Sequence, residues 1–129
     1  MAETRLTVGN VEILALHDNE SALPLTMIFP AVPAEAWAPY QEQYPEGFSG
    51  PENLRIHFEC YLLRSPGNTI LVDTGAGTMA TNPGTVTAFA GGTDGRLLAE
   101  LRSAGVEPED VDTVFLTHLH PDHVGWNLS

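Results

Sequence analysis

The chain has 129 residues, 43% of them hydrophobic and 17% charged, a composition that fits one globular domain with a buried core. Its formal net charge is −12 and all five Lys/Arg positions are arginine, so its surface repels phosphate backbones and a nucleic-acid partner is excluded. No apolar run nears the ~20 residues of a membrane span, and Met1-Ala2-Glu3-Thr4-Arg5 does not begin a leader, so no membrane partner and a cytoplasmic location are expected.

Arg5–Val8 and Val11–Leu16 read as a hairpin closed by Gly9-Asn10, a pair that tolerates positive φ. Residues 18–53 follow as a long irregular segment with six prolines and several aromatics, and a short helix is expected around Ala34–Gln43. So long a loop is either a lid, pocket wall or oligomer contact, or a segment that packs its own aromatics over the core.

A second hairpin runs from strand 54–64 through Ser65-Pro66-Gly67-Asn68 into Thr69–Asp73. Ile56, Phe58, Cys60 and Leu62 alternate with polar residues, which places Cys60, the only cysteine, on an apolar face as a buried thiol with no intrachain disulfide. The apolar run Ile70–Val72 is expected to be covered on both faces. It ends in Asp73-Thr74-Gly75-Ala76-Gly77, and the Gly/Thr/Ala-rich stretch 76–95 reads as a mobile loop.

A helix is expected from about Asp94 to Ala104, capped by Thr93 or Asp94, with Leu97, Leu98 and Leu101 as its apolar stripe and Gly105 as its stop. Pro108-Glu109-Asp110 turns the chain into a strand Thr113–Thr117. The fold class is therefore α/β, more closely an α+β arrangement around a mixed sheet.

Directly after that strand comes His118-Leu119-His120-Pro121-Asp122-His123. Strand alternation turns His118 and His120 to one side, and Pro121 then ends the strand and brings Asp122 and His123 from another direction. Three imidazoles and a carboxylate without a thiolate suit zinc or a similar divalent ion and argue against a structural zinc finger. One tetrahedral ion has trouble taking four ligands from so short a segment, whereas two ions ~3.5–4 Å apart can divide them two and two. A hydroxide bridging the two ions would then attack a lactone, ester or phosphoester. His17 and His57 show no partners at ligand spacing and read as ordinary histidines.

The run Thr117–Gly125, with the upstream Leu71-Val72-Asp73-Thr74-Gly75, resembles the metallo-β-lactamase superfamily, whose signature is HxHxDH. The ending His-Val-Gly-Trp-Asn and the long aromatic loop resemble its branch of acyl-homoserine lactonases and methyl-parathion-type hydrolases. The resemblance implies that His118 and His120 hold a first metal and that Asp122 and His123 hold a second. It further implies that Asp122 helps to protonate the leaving group, and it places Asp73 behind the ligands as their support. The plain alternative for Asp73 is a carboxylate that caps the following turn.

That family is an αββα sandwich of two similar halves, and its remaining ligands come from the second half. Residues 1–129 are accordingly expected to be the N-terminal half of such a sandwich, with 18–53 as a lid or oligomer loop and the C-terminal half absent. The expected cofactors are two divalent ions, zinc first, with Mn, Fe or Co as alternatives. The expected partners are a small-molecule substrate and the missing half or a second chain, with a homo-oligomer as a further option. Against the metal-dependent hydrolase stand two other readings: an inactive truncated or split fragment that folds by dimerising, and a glyoxalase II-like thioesterase or iron-dependent oxygenase of the same superfamily.

Overall fold

The structure, a computed structural model, describes residues 4–128. The Met1-Ala2-Glu3 part of the leader reading and Ser129 lie outside them. The chain divides into two compact units, one of residues up to Asn19 together with Phe58 onward, the other Glu20–His57. Among the described residues no helix is long and apolar enough to cross a membrane.

Within the first unit, five strands form one mixed sheet in the order β1-β2-β3-β4-β5. Strand β1 (Thr4–Val8) pairs antiparallel with β2 (Val11–Pro24), from Val8↔Val11 to Thr4↔Ala15. Gly9 at φ 62 makes the two-residue turn between them, as its sequence demands. Strand β3 (Asn53–Ser65) pairs antiparallel with β4 (Asn68–Val72) across Pro66-Gly67, with Ser65 opposite Asn68. Strand β5 (Thr113–Phe115) lies parallel to β4, Leu71 beside Val114, after a crossover that carries the helices.

One face of the sheet is covered. Leu14 and Leu16 of β2, Cys60 and Leu62 of β3 and Leu71 of β4 pack with Leu97 and Leu101 of a helix, and with Val106 just after it. Period-two alternation selects these side chains, and burial of each Leu contributes roughly 1.5–3 kcal/mol. The opposite face holds the register partners Leu6–Ile13, Leu63–Ile70 and Tyr61–Val72, with Phe115 beside Val72. There Leu6 is 58% and Phe115 59% exposed, so the expectation that Ile70–Val72 is covered on both faces holds only for the side of Leu71.

In the second unit β2 continues to Pro24, so the segment 18–53 is less irregular than its prolines suggest. It then forms a single turn α1 (Leu25–Ile28), a 3-10 turn Ala34–Trp37 and α2 (Ala38–Gln43), which splits the helix expected over Ala34–Gln43. Trp37 stacks at 5.0 Å on Phe29 and lies 6.4 Å from Phe48, centroid to centroid, as the centre of an aromatic cluster.

Two corrections fall between β4 and β5. The stretch 76–95 contains α3 (Pro83–Ala90), started by Pro83 in its first turn and stopped by Gly91 in the left-handed region at φ 60. The next helix, α4 (Leu97–Ser103), begins at Leu97 rather than Asp94. Asp94 is engaged elsewhere, its Oδ1 accepting the Met79 N–H at 2.7 Å.

Candidate metal centre

The ligand segment starts where β5 stops. The strand ends at Phe115, two residues short of the expected Thr117, so strand alternation is not what brings His118 and His120 together. The ladder gives one further bond, Asp73 N–H to Phe115 O at 2.8 Å, and the two chains then diverge into loops. His120 takes an extended conformation before a 3-10 turn Pro121–His123, and the His123 N–H closes that turn on His120 O at 2.9 Å. Pro121, which has no N–H to lose, sits in the first turn of this piece.

This path gathers the imidazoles. The ring centroids of His118 and His120 lie 4.6 Å apart, and those of His118 and His123 lie 4.0 Å apart. His118 and His120 are exposed, while Asp122 and His123 are half-buried. His123 Nε2 and Asp122 Oδ2 are 3.4 Å apart. That is the spacing of two ligands on one tetrahedral ion, given metal–ligand bonds of about 2.0–2.2 Å. Among the described residues, no three of these four side chains bring ligand atoms within 4.8 Å of one another.

Asp73 stands behind the turn. Its Oδ2 is 2.8 Å from His123 Nδ1, and its Oδ1 accepts the Thr117 N–H at 2.8 Å. The Thr117 hydroxyl reaches both carboxylate oxygens, at 3.0 and 2.8 Å, and lies 3.0 Å from His118 Nδ1. One carboxylate thus occupies the Nδ1 of His123 directly and that of His118 through a hydroxyl, which leaves Nε2 of both rings as the ligand atom. Burial pushes the Asp73 carboxyl up, but the Thr117 N–H, the His123 ring and the Thr117 hydroxyl outweigh it and hold the pKa below its usual value. Asp73 also sits at φ 61, a left-handed conformation that Asp tolerates better than most residues.

Backbone bonds stitch the ligand turn to the loop after Asp73. Thr74 N–H donates to His123 O at 2.9 Å, Gly125 N–H to Gly75 O at 2.8 Å, and Trp126 N–H to Thr74 O at 3.2 Å. Asn82 adds a side-chain clamp, its amide donating to Ala76 O at 3.0 Å and Pro121 O at 2.9 Å. Sequence reasoning missed Thr117, Asn82 and the buried Asp18 described below. Of these only Thr117 carried a local signal, as the hydroxyl next to the first histidine. His17 and His57 do have carboxylate neighbours: His17 Nδ1 lies 2.9 Å from Glu59, and within the second unit His57 Nδ1 lies 3.7 Å from Glu20. Sequence distance hid both pairs.

The donor set, with Nδ1 of His123 and His118 engaged and one His/Asp pair at ligand spacing, fits divalent metal. Residues 59–129 match the family model described as Metallo-beta-lactamase superfamily. Over 78 residues the chain is 35% identical to the N-acyl homoserine lactonase AiiB of Agrobacterium fabrum, covering 54% of this chain and 28% of that protein. Among solved structures, a probable metal-dependent hydrolase from Staphylococcus aureus superposes with a TM-score of 0.73 at 21% identity, over 93% of this chain and 42% of the other. AidC, a dizinc quorum-quenching lactonase solved with a product, superposes with a TM-score of 0.70 at 25% identity, over 95% of this chain and 38% of its own. The chain thus spans well under half the length of each of these relatives.

Proposed function

Because the chain belongs to the metallo-beta-lactamase superfamily, we propose that it contributes the HxHxDH half of a two-metal, lactonase-like hydrolase centre. The observation that carries this reading is the His123 Nε2–Asp122 Oδ2 spacing of 3.4 Å with His123 Nδ1 already held by Asp73. In it His118 and His120 hold one ion and Asp122 and His123 the other, and both are zinc. Zinc, when bound by these ligands, would lower the pKa of a bound water towards ~7 and would polarise the substrate's carbonyl or phosphoryl oxygen.

The chain's own residues do the rest. Asp73 keeps His123 in the tautomer with its proton on Nδ1, and Thr117 does the same office for His118, so neither ring has to reorient when an ion arrives. Asp122 is half-buried in the middle of the Pro121–His123 turn, where its carboxyl can pass a proton to the departing alkoxide of an opened lactone or ester. Further ligands come from outside residues 1–129, from a continuation of the chain or from a second polypeptide. Residues 18–53, largely the second unit, act as a lid or oligomer contact.

The test is hydrolysis of an acyl-homoserine lactone and of a phosphotriester by the 129-residue chain, alone and with a polypeptide that carries the remaining ligands. Turnover that needs both, and zinc, supports the reading. Turnover unaffected by removing zinc sinks it.

A second reading is favoured by the bare sheet face with Leu6 and Phe115 more than half exposed: a non-catalytic chain that pairs through this face with a second copy. A monomer with no lactonase partner would count against both.

A further inference from the structure

Asp18 is fully buried on β2, far in sequence from the ligand turn, and three N–H donors from three segments meet on its carboxylate. Oδ2 accepts Ala76 N–H at 2.8 Å, from the loop that follows Asp73. Oδ1 accepts Leu97 N–H at 3.0 Å, where α4 begins, and the Trp126 indole N–H at 2.8 Å, from the turn that follows His123. The Asp18 carbonyl takes a fourth bond, from Arg96 N–H at 2.8 Å. All the partners of the carboxylate are donors, so only an acceptor without hydrogens satisfies the site.

The surrounding sequence is cut to fit this one group. A Cβ at Gly75 or at Gly95 would overlap the Asp18 carboxylate, and a Cβ at Gly125 would overlap the Ala76–Gly77 peptide. Three glycines thus let the loop, α4 and the ligand turn close on one another.

We infer that Asp18 is a positioning residue of the metal centre: its carboxylate fixes the 74–77 loop against the 123–126 turn and so sets where His123 and Asp122 stand. The inference rests on the proposed ligand role of those two side chains. Asp18 touches no ligand. It acts through Ala76 and Trp126, which flank the backbone bonds from Thr74 to His123 and from Gly125 to Gly75. Asn in its place would turn an NH2 towards one of the donors and lose at least one of the three bonds.

The experiment compares Asp18→Asn with Leu62→Ala, a core substitution that lowers stability but removes none of the hydrogen bonds that hold the loop and the turn. Each is titrated with Co2+ at a temperature where it is folded, and each is followed by 1H–15N spectra. For Asp18→Asn we expect a Co2+ affinity lower by about 10–100-fold, the range for lost support of metal ligands. We also expect a displaced Trp126 indole resonance and selective loss of exchange protection at the Thr74, Gly125 and Trp126 amides. Leu62→Ala should keep the wild-type affinity and the protection pattern.

Equal losses of affinity in the two folded variants, or none in Asp18→Asn, overturn the inference. If the wild-type chain binds no Co2+, the metal reading fails by itself, and the amide pattern decides: selective loss upholds Asp18 as the anchor, uniform loss overturns it. Should Asp18→Asn not fold, Trp126→Phe removes a single donor, and it must weaken Co2+ binding and loosen the same amides for the inference to survive.

Discussion

Two side chains carry opposite lessons at the residue scale. Asp73 is held in its ionised form by donors that also orient His123 and Thr117, so its charge and its geometry act together. Asp73→Asn tolerates the same left-handed backbone, but it removes the charge and turns an NH2 towards one of the donors on the carboxylate. It should lower Co2+ affinity about 10–100-fold in a titration and lower the urea midpoint as well, because a donor loses its acceptor on a buried carboxylate. Cys60 is the inert counterpart: burial, then the nearby Asp18, Asp73 and Glu59 charges, push its thiol well above the ordinary value. It should resist a thiol-specific disulfide reagent at pH 8 until urea unfolds the chain. Its folded pKa is raised, so the stability tied to the protonated thiol is full below about pH 8.5 and is lost as pH rises further. Cys60→Ala should abolish that alkaline decline in the urea midpoint.

At the scale of elements, the ligand turn is held by backbone contact, and glycine is what permits it. Gly125→Ala should destabilise the fold by at least ~1–3 kcal/mol in urea unfolding and weaken Co2+ binding with it, because the Ala76–Gly77 peptide cannot recede without breaking the Gly125–Gly75 bond. Gly84→Ala, in the open first turn of α3, should be neutral or stabilising by about 0.4–1 kcal/mol. The two hairpins were legible because Gly9 and Gly67 mark their turns and the alternation of β3 marks its buried face. The ligand cluster was legible as chemistry, though not as geometry: β5 ends at Phe115 and a 3-10 turn does what strand alternation was expected to do. Helix α3 escaped notice because its residues lack a strong apolar stripe. Its boundaries come from Pro83 and Gly91, punctuation that composition alone reads as a loop. Asp18 was illegible for a different reason: its donors lie at positions 76, 97 and 126, and only folding brings them together.

For the whole molecule, the sheet has one face under α4 and one face bare, and the ligand turn lies at an end that contributes two side chains to each proposed ion. The bare face should make the isolated chain self-associate, and Phe115→Asp, at the exposed edge strand, should raise the monomer fraction in light scattering. The proposed ligand roles of His118, His120, Asp122 and His123 can be read in the visible absorption of the chain titrated with Co2+. Bands of a cobalt site with nitrogen and oxygen donors should appear, vanish in the His118→Ala/His123→Ala double variant and persist in His57→Ala. A spectrum unchanged by the double substitution, or one lost with His57→Ala instead, would contradict those roles.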